Sequence, residues 1–430
     1  MKKAILFSFL LGVFCAGAVC AENFYSSGQA VEVFTLEKTI RLGLDNNTEL
    51  LSAEQDVLIA EQQVKESLFL FFPQPSVSGN ATKSNVKYPM ILPVEYGAQL
   101  INPSGYENFY AARVMLTQPL YRGRKIVNNY NMAKAALERS RARYDELKKQ
   151  VEADLKKAFY ETMAAKRQVQ SAQEWSSRIR TQRDHLVLGA WEAIAADGIT
   201  EGMASRLEEA RRELDAKRLN LLRLLNKETS MSIDVDGNFA VLPANVDLNK
   251  ALVWAMEFRP ELKSQAYKAK MDAIAVNLAM SRNYPTVDLG LNYDVLGNNF
   301  PLNSNSWAAT LAVKLPLSYD FWTKIKTRRA EQRQGDLLRA SLEDKVRIEV
   351  RQAYESLFFW QQEAGTRQKT FDRLENSYFT ALKGEKPTFA ALEAGQAVFS
   401  AEVSFLQAVK NQLTSRAELE WALGQEISAE

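Results

Sequence analysis

The chain has 430 residues, 46% hydrophobic and 25% charged, which is too apolar for a disordered protein and long enough for two or three ordinary domains. Lys and Arg number 54 against 52 acids, and the first 21 residues hold two lysines and no acid, so the remainder is balanced and offers nucleic acid no basic surplus. A single histidine, His185, excludes most Ser-His-Asp, Cys-His and multi-His metal chemistry; no phosphate-cradling Gly loop appears either, so we expect neither catalysis nor a cofactor.

At the start, Met1-Lys2-Lys3 precedes an apolar run from Ala4 to Val19 and the small-residue pattern Val19-Cys20-Ala21. This reads as a secretory signal, residues 1–21, cut after Ala21. Both cysteines, Cys15 and Cys20, fall inside it, so the mature chain owes nothing to disulfides. Lipoprotein processing at Cys20 is the rival reading, with Val19 a poor fit where a smaller residue is expected. Beyond the leader the apolar runs, such as the five residues Leu68 to Phe72, fall far short of a membrane-spanning helix. If the protein enters a membrane, it does so as strands.

The rest of the chain is written twice. Leu36-Glu37-Lys38-Thr39-Ile40, Asn47-Thr48-Glu49-Leu50 and Phe72-Pro73 recur at a constant offset of 212 as Leu248-Asn249-Lys250-Ala251-Leu252, Arg259-Pro260-Glu261-Leu262 and Tyr284-Pro285. Gln118-Pro119-Leu120 corresponds to Leu315-Pro316-Leu317, Phe159-Tyr160-Glu161 to Ala353-Tyr354-Glu355, and Leu225-Asn226 to Leu423-Gly424. The expected organisation is a first repeat over 22–230, a linker over 231–246 and a second repeat over 247–430.

Each repeat has a helical stretch that stops at a proline, then strand text, then a very long helical stretch. In the second repeat Val287, Leu289, Leu291, Tyr293 and Val295 alternate with polar residues or Gly, and Trp307, Ala309, Leu311, Val313 and Leu315 alternate with small or polar ones after the turn-rich Gly297-Asn298-Asn299. The period of two predicts strands over about 286–297 and 306–317, and the first repeat matches with about 74–86 and 109–120. The stretches from Arg122 to Leu188 and Phe321 to Lys383 carry almost no Gly or Pro and predict rods of roughly 100 Å, a length that belongs to coiled-coil-like packing.

Four strands cannot close a barrel, and an open edge is not tolerated in lipid, where its N–H and C=O groups find no partner. The chain must oligomerise. Two copies give eight strands and an interior filled by side chains; three give twelve and an open lumen, which with cyclic symmetry makes a trimeric conduit the economical solution.

In the order and spacing of these features the chain resembles the TolC family of outer-membrane efflux proteins. The features are the twofold repeat, the helix-to-strand signatures ending at Pro73 and Pro285, the Gln118-Pro119-Leu120-Tyr121 turn and the closing Glu420-Trp421-Ala422-Leu423-Gly424. The resemblance implies a mainly α fold with a small β part: a homotrimer with a 12-stranded β-barrel in outer-membrane lipid and a long α-helical barrel across the periplasm. It implies a passive exit duct, for efflux of small toxic compounds or for type I protein secretion, docked through a periplasmic adaptor (membrane fusion) protein to an inner-membrane pump. A periplasmic coiled-coil scaffold outside lipid is the alternative.

The family's function concentrates at its helix-hairpin tips. Gly384-Glu385-Lys386 through Glu393-Ala394 looks like the tip motif of the second repeat, with Glu393 at one acidic aperture position and Ala390 at the other. The first-repeat tip has two candidates, Gly189, which keeps the repeat spacing, and Gly198-Ile199-Thr200-Glu201, which reads like the family's turn. Glu393, with Asp197 and Glu201, is therefore a candidate aperture residue or an ordinary solvated acid, and Gly384, Glu385, Lys386, Gly189 and Gly198 are candidate adaptor contacts. Tyr110, Tyr293 and Trp307 either form an aromatic girdle or point into the lumen. Tyr160 and Tyr354 read as packing residues and His185 as a surface residue.

Overall fold

A computed structural model describes residues 32–83, 90–91, 100–101, 108–316, 319–384 and 388–427. The leader and both cysteines lie outside these residues. In chain order the elements are β1 (Glu32–Phe34), α1 (Leu36–Asn46), α2 (Thr48–Phe69), β2 (Gln74–Lys83), β3 (Met90–Ile91), β4 (Leu100–Ile101), β5 (Asn108–Arg122), α3 (Lys125–Asp184) and α4 (Ala190–Leu224). Then come β6 (Ile233–Val235), α5 (Leu248–Phe258), α6 (Pro260–Ser281), β7 (Thr286–Gly297), β8 (Ser304–Lys314), α7 (Phe321–Gly384) and α8 (Phe389–Leu423).

The duplication reaches the capping chemistry. Helices α1 and α5 have 11 residues each, α2 and α6 have 22, and both pairs sit at the offset read from the sequence. Thr35 Oγ1 accepts from Lys38 N–H, Asn47 Oδ1 from Leu50 N–H and Asp247 Oδ1 from Asn249 N–H, satisfying N–H groups that a helix start leaves without partners. Where the first repeat has Asn47-Thr48, the second has Arg259-Pro260, with proline in the first turn, where its missing N–H costs nothing. At the far end α4 and α8, 35 residues each, stop on Asn226 and Gly424, both at positive φ (51° and 73°). Asn and Gly are the residues that most readily terminate a helix in the left-handed region.

The main sheet has the order β2-β5-β7-β8, antiparallel throughout, so β2 and β8 are its edges among the described strands. The two repeats meet in its middle, where β5 pairs with β7. The strands expected over 74–86 and 306–317 run as Gln74–Lys83 and Ser304–Lys314; residues 84–86 and 317 lie outside the described ones. A short hairpin, β3 with β4, stands in the long loop of the first repeat, unannounced by any alternation.

The segment read as a linker is more than a connection. Its strand β6 pairs in parallel with β1, Val33 opposite Asp234, and together they cover Val151, Leu155, Phe159 and Met163 of α3. Three residues cannot display a period, which is why the sequence text hides both strands. Full burial of Phe34, Phe159 and Leu155 here contributes roughly 1.5–3 kcal/mol per side chain. The second repeat builds the matching cluster from Ala251, Ala255, Val346, Val350, Leu357 and Leu419, with Tyr354 packed against it as Tyr160 packs in the first.

The helix-hairpin tips and the outward sheet face

The first hairpin turns at His185–Gly189, where α3 has ended and α4 has not begun. Gly189 is the residue before α4, and its N–H donates to Glu192 Oε2 (3.2 Å). The alternative turn, Gly198 to Glu201, lies inside α4. Gly198 is exposed, with nothing within 4 Å of where a Cβ would stand, so no close approach requires a glycine there. The helix continues through it because Ala-rich flanks and Met203, buried against the neighbouring hairpin, outweigh the roughly 1 kcal/mol that an interior glycine costs. His185 is exposed.

The second hairpin leaves α7 at Gly384 and enters α8 after Thr388; Glu385 and Lys386 lie outside the described residues. Glu393 is exposed, one turn into α8, between the fully buried Leu392 and exposed Ala394. It has no ion-pair partner among the described residues, and neither has Glu201. Asp197 accepts from Arg183 Nε (2.8 Å), a contact that spans the first hairpin. At 1.5 Å per residue the three acids sit about 6, 10 and 16 Å into their helices, so within one protomer they are staggered rather than gathered.

The two hairpins are latched together by residues that no spacing rule announces. Trp175 Nε1 donates to Glu402 Oε2 (2.7 Å), Gln182 Nε2 donates to the Tyr378 hydroxyl (2.7 Å), and the Trp175 and Tyr378 rings stand 5.5 Å apart. Gly395 lets α8 come close: a Cβ there would lie 3.2 Å from the Tyr378 hydroxyl and within van der Waals contact of Trp175 and Ile179. Burial, then the carboxylate of Glu402, holds the Glu375 carboxyl above its usual range beside this latch. Beyond the latch the first tip carries uncovered apolar side chains, Val187 at 103% and Trp191 at 85% exposure, with Ile194 behind them. Their signal in the sequence is apolar residues flanking a turn, where no helix face can bury them.

The sheet is inverted relative to that of a water-soluble domain. Register places Val77, Val114, Tyr293 and Trp307 in one row across the four strands, and Leu116 beside Leu291. This apolar face is open, Val77 at 80% and Trp307 at 78% exposure. The opposite face carries Ser76, Ser78, Asn80, Thr117, Asn292 and Asp294, and its central pair, Arg113 with Asp294, is buried. The sheet thus curls around its polar side. Tyr110, Tyr293 and Trp307 all stand on the apolar face, but at two levels: Tyr293 faces Trp307, while Tyr110 lies opposite Gly297, about 13 Å further along, and packs on Phe300 with the rings tilted at 48° and centroids 4.8 Å apart. At the helix ends of the strands a further aromatic set, Tyr121, Tyr284 and Trp322, is exposed.

Among the described residues no helix is long and apolar enough to cross a membrane, and no group of three or more His, Cys, Asp or Glu is placed to hold a metal.

Residues 39–235, nearly the whole first repeat, match the family described as Outer membrane efflux protein. The first repeat thus carries an outer membrane efflux protein domain. The fold over both repeats is the TolC-like fold of solved bacterial channels, mainly α with a small β part. The MtrE outer membrane channel of Neisseria gonorrhoeae, solved in an open state, superposes with a TM-score of 0.75 at 16% identity, covering 92% of this chain and 90% of that one. The CmeC outer membrane channel of Campylobacter jejuni gives 0.71 at 16%, covering 92% and 86%. The outer membrane protein VceC of Vibrio cholerae gives 0.76 at 13%, covering 91% and 97%. At such identities the likeness is one of fold. No curated protein sequence matches significantly.

Proposed function

We propose that three copies of this protein close into a duct through the outer membrane and periplasm, carrying substrates from an inner-membrane pump. The observation that carries this reading is the pair of open flanks on the protomer. One flank is the edge β2 continued by α2, with Leu51, Leu58 and Ile59 exposed; the other is the edge β8 continued by α7, with Leu337, Leu338 and Ile348 exposed. Flank against flank is a heterologous contact, which makes a ring where the rotation closes, as it does for three copies related by 120°. Three sheets of four strands give the twelve that leave an open lumen, its wall formed by the polar face.

The apolar face supports insertion in lipid. From Tyr110 to Tyr121 along β5, at about 3.3 Å per residue and a tilt near 40°, the height is about 28 Å, close to the roughly 25 Å apolar band between aromatic girdles. At the other end the hairpin tips, with Val187 and Trp191 uncovered, are the surface for a periplasmic adaptor. Mass measurement in detergent is expected to give three times the protomer, and membrane fractionation to place the protein in the outer membrane. A monomer that inserts stably in lipid would overturn the reading.

A further inference from the structure

Below the strands lies a groove that neither the ring closure nor the tips use. It is a cavity of about 650 Å³ running over α6 between α3 and α7, within the size range of small-molecule sites. Its rim is cationic: Lys125 opens α3, Arg282 closes α6, and Lys324 and Arg328 stand in the first two turns of α7. Lys324 is paired with Asp320, and Arg328 donates to Glu331 Oε2 (2.7 Å), the acid of the lining. Lys125 and Arg282 have no ion pair among the described residues. The dipole of α6 favours a cation at its C-terminal end but supplies no carboxylate.

Two further observations point to an anion. The residue before α3, Arg124, gives no side-chain hydrogen bond to the helix start, so the positive end of a 60-residue helix dipole lies beside Lys125 with no side-chain oxygen from its N-cap. The wall next to these cations is apolar: Met132, Leu278 and Ala279 line it, and seven residues of helix from Lys125 to Met132 extend it by about 10 Å. Charge at one end and an apolar wall at the other describe the two halves of an amphiphile.

We propose that this groove binds an anionic amphiphile, its phosphate, sulfate or carboxylate head held by Lys125 and Arg282 at the start of α3 and its apolar part laid along Met132, Leu278 and Ala279. The ligand is drawn either from the phospholipid of the adjoining leaflet or from solutes passing through the lumen. The chemistry is the same for both, and these two sources rest on the duct reading.

The test uses the full-length assembled protein and the variant Lys125→Gln/Arg282→Gln, with Arg347→Gln, an exposed cation outside the groove, as control. One arm is native mass spectrometry from nanodiscs of phosphatidylcholine doped with phosphatidylglycerol, scoring retained anionic lipid; the same spectrum reports the trimer mass, so failure of the duct reading is seen separately. The other arm is binding of submicellar cholate by calorimetry, with its effect on single-channel conductance. Retention of phosphatidylglycerol identifies the lipid source, and cholate binding with reduced conductance identifies the lumen. In either case the double variant is expected to weaken the interaction about a hundredfold, roughly tenfold for each of the two charge-assisted hydrogen bonds lost, and the control to leave it unchanged. Binding of neither probe, or equal binding by wild type, double variant and control, overturns the proposal.

Discussion

Arg113 and Asp294 stand 181 positions apart, in different repeats, yet face each other across β5 and β7 with both side chains buried, Arg113 Nη2 donating to Asp294 Oδ2 (3.2 Å). Asn292 Nδ2 donates to the same oxygen (2.6 Å). The pair joins the two repeats on the polar side of the sheet. Asp294→Ala, which leaves a buried guanidinium without its carboxylate, is expected to cost roughly 3–5 kcal/mol. The readout is heat resistance of the assembled species on a gel; an unchanged melting point would refute the coupling.

The inverted sheet makes a period-two pattern testable on one strand. Leu311→Arg on the apolar face is expected to cost roughly 2–4 kcal/mol and to reduce the amount assembled in the membrane. Thr310→Arg, its neighbour on the polar face, is expected to assemble normally. Equal tolerance at both positions counts against a lipid-facing sheet.

At the tips, Trp191→Ser removes an indole that is 85% exposed. Expression, assembly and heat resistance should stay at wild-type level, while capture of a periplasmic adaptor falls at least tenfold. If capture persists, the uncovered patch around Val187 and Trp191 is not the docking surface.

Glu393 is exposed one turn into α8, where three copies near a threefold axis would reinforce one another's field. Glu393→Ala should lower cation selectivity or raise conductance in planar bilayers, more than Glu201→Ala, which lies deeper in its helix. Identical traces for both variants and wild type would make Glu393 an ordinary solvated acid.

The C-terminal segment is expected to respond to pH. Lys156 bridges Glu152, Glu420 and Glu426; burial alone would lower its pKa, but the carboxylates, Glu420 foremost, raise it. The hydrogen bond from Lys156 in turn holds the Glu426 carboxyl below its usual value. A depressed carboxylate stabilises the fold above its unfolded pKa and loses that contribution as pH falls through the folded one. Protection of the last helical turn against proteolysis should therefore decline on acidification below about pH 4.5, and Glu426→Gln should abolish that dependence.

What the sequence made legible follows from signals that repeat or alternate. The helix pairs were readable because two copies of the text sit at one offset, and the strands from Val287 to Val295 and Trp307 to Leu315 because one face is apolar throughout. The first tip stayed ambiguous because glycine marks turns statistically: Gly189 stands at a turn, while Gly198 lies in an exposed helix that tolerates it. Contacts between distant helices, such as Trp175 with Glu402, carry no local pattern and became visible only once α3 and α8 were packed. The groove cations carry no local signal, since Lys125, Arg282 and Lys324 come together only through the packing of three separate helices.

The parallel pairing of β1 with β6 means that the first repeat ends where it began: after some two hundred residues the backbone returns to clasp its own starting strand before the second repeat opens. The second repeat is fastened differently, by the buried Arg259 held between Glu261 and Glu349 and lying over the Trp421 ring at 4.5 Å. A gene cut between Asp236 and Asp247 would thus yield two fragments, each keeping its own fastening and together lacking only one covalent connection. Co-expressed, they should find each other through β5 and β7, so the duplication visible in this polypeptide is also a seam along which it can be divided and rejoined.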